Sequence, residues 1–267
     1  MTTLAYTVND STTMFRRNLR RLQRYPSMTL LLIGMPIVFL LLFVYVFGGQ
    51  LSHGLGAANA GGHTGRAGYL NYVTPGVLLM TIAAAVQGTA IVVAMDMTSG
   101  IIDRFRTMAI ARSAVLTGHV LAALVQTFVG LGIVLGVAIA LGFRPTASPL
   151  EWLATIGVLA LFALALIWLA TALGLAAKSV ETASNTPMFL TLLPFLGSGF
   201  VVIASMPAGL RQFAEYQPFS PTTETLRGLL TGTPIGSNAI IAVAWSLGIA
   251  AASYLWARHL YTQRRSA

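Results

Sequence analysis

Long apolar runs separated by short polar breaks recur along this chain from residue 28 to residue 257. A helix needs about 20 consecutive, mostly apolar residues to cross a bilayer. Six runs reach that length, and we predict that each forms one membrane-spanning helix. They cover residues 28–48, 72–95, 115–141, 151–177, 184–206 and 237–257. No soluble-looking block interrupts them, so the pattern predicts an all-α polytopic membrane protein with a single transmembrane domain over residues 1–267.

The basic residues predict how these six spans are oriented. Twelve lie on the side that holds both chain ends, and four lie on the other side. Arginine and lysine concentrate in cytoplasmic loops of membrane proteins. We therefore predict a multi-pass protein of the cytoplasmic membrane, with both its N-terminus and its C-terminus in the cytoplasm.

Residues 10–26 form a separate element ahead of the first span. Their apolar residues recur at helical spacing, while Arg16, Arg20 and Arg24 fall on another face. A basic amphipathic helix of this kind lies in the membrane interface. The alternative is a disordered basic tail.

The cytoplasmic loop at residues 97–114 contains a second amphipathic pattern. Its apolar positions recur as on one face of a short helix, and charged residues lie between them. The pattern predicts a helix that either rests on lipid or docks on a cytoplasmic partner.

The longest external loop, residues 207–236, is too apolar for a plain extracellular loop. It contains two helical patterns, at 208–216 and 222–230, with Pro218 and Pro221 in the predicted turn between them. Glu224 and Arg227 are three residues apart, a spacing that permits an ion pair on one helix face. We predict a re-entrant or interfacial helical hairpin.

Composition narrows the possible chemistry. Hydrophobic residues make up 56% of the chain and charged residues 9%, against about 25% charged in soluble domains. The single lysine, Lys178, is not in a glycine-rich phosphate loop, so we expect no nucleotide site and no ATP hydrolysis by this chain. The chain has no cysteine. We expect no bound cofactor, no metal site and no catalytic residue. We interpret the net charge of +9 as the result of basic residues in cytoplasmic loops, which set the orientation of the spans, and we expect no nucleic-acid partner.

The polar residues within the spans leave other functions open. None of the seven acidic residues falls in the middle of a predicted span, which disfavours a proton- or ion-coupled secondary carrier without excluding it. Ser198 could be the nucleophile of an intramembrane hydrolase, with His119 or His259 as base, but we interpret it as a small packing residue. Uncharged polar residues within the spans are expected to form hydrogen bonds between helices; they are Gln87, Thr89, Gln126, Thr127, Thr171, Asn185, Thr186 and Thr191.

Three segments together resemble a known family. The first is the cytoplasmic loop, which reads Asp96-Met97-Thr98-Ser99-Gly100-Ile101-Ile102-Asp103-Arg104-Phe105-Arg106-Thr107-Met108-Ala109-Ile110-Ala111-Arg112-Ser113. The second opens the second span and reads Tyr69-x-x-Tyr72-x-x-Pro75-Gly76. The third precedes the sixth span and reads Gln217-Pro218-Phe219-Ser220-Pro221, followed by Leu226-Arg227-Gly228-Leu229-Leu230. The chain resembles ABC-2 type transporter permeases, especially the daunorubicin-resistance (DrrB-like) exporter branch. It departs at Met108-Ala109, where many members have a proline.

The resemblance implies the permease subunit of an exporter that moves a drug, polyketide or lipid-like compound. A separate ATP-binding subunit would bind ATP and magnesium, and a second permease copy would complete the transporter. Residues 10–26 would be the interfacial connecting helix, and 207–236 the hairpin near the exit. The helix that couples to the ATPase would contain Gly100, Ile102, Asp103, Arg104, Phe105, Arg106 and Arg112. A cell-surface polysaccharide or lipid exporter of the same superfamily is the nearest alternative.

Overall fold

The computed structural model describes residues 26–51, 65–98 and 112–263, together with Thr12, Phe15 and Arg16. The described ranges contain helices and no strand, which confirms the predicted all-α fold for this part of the chain. The α-helices are α1 (Pro26–Leu41), α2 (Gly48–Leu51), α3 (Gly65–Thr98), α4 (Arg112–Ala140), α5 (Pro149–Ala176), α6 (Val180–Asn185), α7 (Met188–Leu192), α8 (Ala208–Tyr216), α9 (Phe219–Thr231) and α10 (Asn238–Gln263).

Four of the described helices are long and apolar enough to cross a membrane: α3, α4, α5 and α10. They correspond to predicted spans two, three, four and six. Large apolar side chains remain exposed along them, including Leu153 on α5 and Ile240 and Leu255 on α10. A soluble monomer rarely exposes so much contiguous apolar surface, so these faces require lipid or another protein chain.

Helix α3 is the centre of the molecule. Most of its length is buried, and α1, α4, α5, α6 and α9 all pack against it. Close approach is possible where small residues face each other. A Cβ atom at Gly76 would lie 2.6 Å from the carbonyl oxygen of Gly199, and one at Gly174 would lie 2.7 Å from that of Ala90. These two glycines therefore allow the backbones of α5 and of residues 193–200 to lie directly against α3.

The first predicted span is helical but not uniformly α-helical. A π-helical segment, Leu42–Phe47, joins α1 directly to α2. Its Phe43 ring lies 4.7 Å from that of Phe200, and Phe195 stacks on Phe200 at the same centroid distance. The aromatic contacts fix the end of the first span against the chain that follows α7.

The fifth predicted span, residues 184–206, is wrong as a single helix. The structure gives α6, α7, a series of turns over residues 193–200 and a short 3₁₀ helix, Ile203–Ser205. Pro187 and Pro194 lack the backbone N–H that continues an α-helix. Gly197 and Gly199 add to the interruption, because glycine has the lowest helix propensity of any residue except proline. Hydropathy identified an apolar stretch here, but it does not register these interruptions.

The predicted pair of helices before the last span is confirmed, with one correction. Helix α8 has the predicted bounds, but α9 begins at Phe219 rather than 222, so Pro221 lies in its first turn and not in the connecting turn. The first turn of a helix has no intrahelical use for its N–H groups, and a proline is tolerated there. The connecting turn is reduced to Gln217 and Pro218.

The polar residues inside the helices behave differently from the prediction. Thr89, Thr127 and Thr171 each donate to the carbonyl oxygen four residues earlier in the same helix, at 2.8 Å. A threonine hydroxyl reaches that oxygen from its own backbone position, so it is satisfied without a neighbouring helix. Gln87 has a longer side chain, and its Nε2 does reach the carbonyl oxygen of Ser184 at 3.1 Å.

Candidate functional site: a buried arginine and its cavity

Arg227, on α9, is a buried arginine with several acceptors. It is only 2% exposed. Its Nη2 donates to the carbonyl oxygens of Ser198 at 2.7 Å and Tyr72 at 3.1 Å, and Nη1 donates to Glu224 Oε1. Its guanidinium carbon lies 3.8 Å from the centroid of the Tyr72 ring. A buried charge is tolerated when it is paired and hydrogen-bonded in this way, and the predicted Glu224–Arg227 ion pair is confirmed.

The start of α9 is held to residues 193–200 by two further polar side chains. Gln217 Nε2 donates to the carbonyl oxygen of Leu193 at 3.2 Å. Ser220 Oγ accepts from the backbone N–H of Ser198 at 3.1 Å, and the Ser198 hydroxyl donates to the Ser220 carbonyl oxygen at 3.4 Å. Residues 193–200 do not form a regular helix, so side chains from α9 supply partners that an intact helix would have supplied itself.

Packing fixes the rest of the helix pair. Phe219 meets Phe162 of α5 edge-to-face at 5.1 Å, and Gly232 ends α9 in the left-handed conformation at φ 72°. Trp245 Nε1 of α10 donates to the carbonyl oxygen of Tyr216, the last residue of α8. Both helices are therefore tied to the long helices around them. We call the end of the bundle that carries α8, α9 and residues 141–148 the hairpin end.

A cavity of about 320 Å³ opens at the hairpin end beside Arg227. Four charged side chains line it, two basic and two acidic, although the chain as a whole is poor in charge. The lining residues are Tyr72, Val202, Ile203, Ala204, Arg211, Glu215, Ser220, Pro221, Glu224, Arg227 and Asn238. The cavity thus combines a fixed cationic wall with carboxylates that ligands can reach.

The opposite end of the bundle contains a second buried polar pair. His119 Nε2 of α4 lies 3.2 Å from Asp96 Oδ2 of α3, and both side chains are under 5% exposed. These two helices flank residues 99–111, the loop that contains the predicted coupling helix. The pair therefore links the helix ends between which that loop runs.

Several predicted site residues lie outside the described residues. These are Gly100, Ile102, Asp103, Arg104, Phe105, Arg106, Arg20 and Arg24. Arg112 is the first described residue of α4, and its place in the coupling helix stays a prediction. Arg16 is helical and exposed. Of the predicted hairpin residues, Pro218 caps the start of α9, Pro221 and Glu224 line the cavity, and Arg227 is the centre of the cluster.

Sequence reasoning missed the partners of Arg227. Two of them are backbone carbonyls, which carry no mark in the sequence. The family motif contains Gln217 and Ser220 but assigns them no structural role, and the available signal is their polar character beside two prolines. Asp96 and His119 flank the same predicted cytoplasmic loop in the sequence, but nothing in the sequence indicates that they pair.

The hydrolase alternative that pairs Ser198 with His119 fails on geometry. Ser198 and Tyr72 both contact Arg227, so Ser198 lies beside the Tyr72 position of α3. His119 contacts Asp96 and therefore lies beside the Asp96 position of the same helix. Along α3 these positions are about 36 Å apart at 1.5 Å per residue. A nucleophile and its base must come within hydrogen-bond reach, so Ser198 and His119 form no catalytic dyad.

Comparisons with known proteins point to one family. The sequence model of the family described as ABC-2 type transporter matches residues 10–231. The daunorubicin resistance ABC transporter permease protein DrrB1 of Streptomyces coeruleorubidus is 27% identical over 230 residues, covering 86% of this chain and 77% of that protein. The probable doxorubicin resistance ABC transporter permease protein DrrC of Mycobacterium tuberculosis is 26% identical over 177 residues, covering 65% of this chain and 64% of that protein.

Proposed function

Because the chain belongs to the ABC-2 type transporter family, we propose that it is the permease subunit of an exporter for hydrophobic or amphipathic compounds of the drug, polyketide or lipid-like class. The observation that carries this proposal is the family match over residues 10–231. The names of the two relatives, which refer to daunorubicin and doxorubicin resistance, support the cargo class.

The energy for export would come from a separate ATP-binding subunit, since the sequence has no phosphate-binding loop. That subunit would dock on residues 100–112, with Asp103 and Arg106 as polar contacts and Ile102 and Phe105 as apolar ones. Two features support a relay from this loop. Helices α3 and α4 flank it directly, and the Asp96–His119 pair joins their ends. A push on the loop would therefore move both helices together.

Six membrane crossings remain part of the proposal, although only four long apolar helices are found in the described residues. The other two crossings would be the continuous helix from α1 to α2 and the interrupted chain from α6 to residue 200. The interrupted chain contacts α3 at two positions along that helix: Gln87 donates to the carbonyl oxygen of Ser184, and the Tyr69 hydroxyl donates to the carbonyl oxygen of Phe200. These positions are about 27 Å apart along α3, close to the roughly 30 Å of a hydrocarbon core.

In this arrangement the hairpin end faces outward and the Asp96 end faces the cytoplasm, as the basic residues predict. The natural absence of cysteine permits a direct test. We expect a cysteine introduced at Arg144 to react with a membrane-impermeant maleimide in intact cells. One at Ser179 should react only after permeabilisation. The reverse pattern would contradict the orientation, and reaction of both in intact cells would contradict an odd number of crossings between them.

Co-purification with an ABC ATP-binding subunit tests the function, and a neighbouring gene that encodes such a protein is the first candidate to look for. We expect a stable complex with ATPase activity and ATP-dependent uptake of daunorubicin into inverted vesicles. Charge reversal by Asp103→Arg or Arg106→Glu should weaken the complex or separate hydrolysis from uptake. Arg144→Glu is the matched control, because it reverses an exposed charge at the hairpin end. Normal assembly and uptake in both loop variants would disprove the coupling role, and failure of the wild-type pair to assemble would count against the proposed function itself.

We also propose that a second permease copy completes the transporter. The exposed apolar faces of the long helices support this, since a second copy and the surrounding lipid would cover them.

A further inference from the structure

The cavity at the hairpin end contains two pairs of opposite charges in different states. In one pair, Glu224 and Arg227 contact each other, and Arg227 is further held by backbone oxygens. In the other pair, Arg211 and Glu215 both project from α8 and are exposed. Within the described part of the chain neither of these two makes an ion pair, although they are four residues apart. A basic residue four positions before an acidic one is the weaker order for such a helix pair.

The cavity therefore offers one unpaired charge of each sign and has no net charge overall. A simple cation would meet Glu215 but also the unpaired Arg211, and a simple anion would meet the reverse problem. A ligand that carries both charges satisfies both walls. The carboxylates of Glu215 and Glu224 accept hydrogen bonds, while the planar guanidinium of Arg211 binds phosphate or carboxylate with two parallel donors.

The size of the cavity limits what part of a ligand it holds. About 320 Å³ is at the lower limit of the roughly 300–1,000 Å³ of small-molecule pockets. This volume suits a polar headgroup and leaves no room for acyl chains or a polycyclic ring system. Exposed apolar side chains of α8, Leu210 and Phe213, lie on the same helix as the two unpaired charges, and an attached apolar tail has a surface to follow.

We propose that this cavity binds the zwitterionic headgroup of an amphiphile, with a primary ammonium on Glu215 and Glu224 and a phosphate or carboxylate on Arg211. A primary ammonium has three N–H donors for the carboxylates. A quaternary ammonium has none and binds more weakly. The headgroup belongs either to a membrane phospholipid or to exported cargo, and both present the same chemistry to the cavity.

Binding is measured on the purified full-length permease in detergent, without ATP, by calorimetric titration with dihexanoyl phosphatidylethanolamine. We expect saturable binding of phosphatidylethanolamine to the wild type. The phosphatidylcholine and phosphatidylglycerol analogues should bind the wild type at least about tenfold more weakly. The Arg211→Gln and Glu215→Gln variants should bind phosphatidylethanolamine at least about tenfold more weakly than the wild type does. Arg144→Gln, an exposed arginine at the same end outside the cavity, should bind like the wild type. Arg211→Glu with Glu215→Arg should restore part of the affinity, because one charge of each sign is again present.

Absence of saturable phosphatidylethanolamine binding to the wild type would overturn the proposal, as would equal binding by Arg211→Gln and Glu215→Gln. Equal affinity for phosphatidylglycerol would replace the zwitterion with a simple anion and also overturn it. The source is assigned separately, with acyl-labelled phosphatidylethanolamine in vesicles that contain the permease and its ATPase. ATP-dependent movement of the label across the bilayer identifies cargo, and binding without movement identifies a resident lipid; both support the site. Since binding needs no ATP, the site is tested even if the exporter function fails.

Discussion

Replacing Arg227 with methionine removes the guanidinium that joins three parts of the fold while keeping a long, apolar side chain in its place. The variant leaves the carbonyl oxygen of Ser198 without its 2.7 Å donor and removes both guanidinium donors, Nε and Nη2, from the Tyr72 carbonyl oxygen. Residues 193–200 then lose a connection to α9. We expect the variant to be destabilised and its hairpin end to become more open to solvent.

The magnitude follows from the individual contacts. A hydrogen bond to a charged group contributes about 1.5–3 kcal/mol, and a desolvated cation–π contact about 2 kcal/mol. Glu224 is 31% exposed, so its ion pair adds only about 0–1 kcal/mol. Methionine also avoids the cost of burying a charge, which offsets part of the loss. We expect a net loss of about 3 kcal/mol in the free energy of unfolding.

Reversible unfolding in mixed micelles titrated with SDS measures this loss. Arg144→Met is the matched control, since Arg144 is exposed at the same end of the bundle, and it should change stability by less than about 0.5 kcal/mol. Arg227→Lys should give an intermediate value, because lysine keeps the charge but not the planar set of five donors. A loss below about 1 kcal/mol for Arg227→Met, or one equal to that of the control, would refute the assigned role of the guanidinium.

Two further predictions concern the packing around α3. Gly76→Ala places a methyl group against the backbone of Gly199 and should lower the free energy of unfolding by about 1–3 kcal/mol through overpacking. Gly132→Ala is the control, because the space around Gly132 is open, and it should be neutral or slightly stabilising. Equal effects of the two substitutions in the same unfolding titration would argue against the close approach. Asp96→Asn and His119→Gln should show a coupling energy above about 0.5 kcal/mol in a double-mutant cycle, and additive effects would show that the two buried side chains act independently.

The long helices were predicted well because each is an uninterrupted apolar run in the sequence. In lipid an apolar segment has to satisfy its own backbone hydrogen bonds, so such a run is nearly sufficient to predict a helix. Helices α3, α4, α5 and α10 all fall on predicted spans. The fifth predicted span failed because hydropathy measures transfer into lipid and not the continuity of backbone hydrogen bonds. Pro187 and Pro194 lie within this stretch, but only the structure shows that α6 and α7 are short and that turns replace the helix beyond them.

The site was predicted in part. Spacing alone indicated the Glu224–Arg227 pair, since residues three apart on a helix are neighbours. The burial of Arg227 depends on Tyr72 and Ser198, which are far away in sequence and contribute backbone oxygens. No local pattern encodes such a contact. The same limit applies to Asp96 and His119, whose pairing depends on how α3 and α4 pack, and the coupling role of residues 100–112 stays a prediction.

The dependence of residues 193–200 on α9 has a consequence for how the protein is made. Leu193 and Ser198 leave the ribosome before Gln217, Ser220 and Arg227, which later bind their backbone groups. At about 5–20 residues per second, the 34 residues from Leu193 to Arg227 take about 2–7 s to synthesise. Until Gln217 is made the irregular stretch has none of these partners, and the set is complete only with Arg227, so its final placement waits for a helix that has yet to emerge. Ribosome pausing within α8 would prolong this exposed stage of biogenesis.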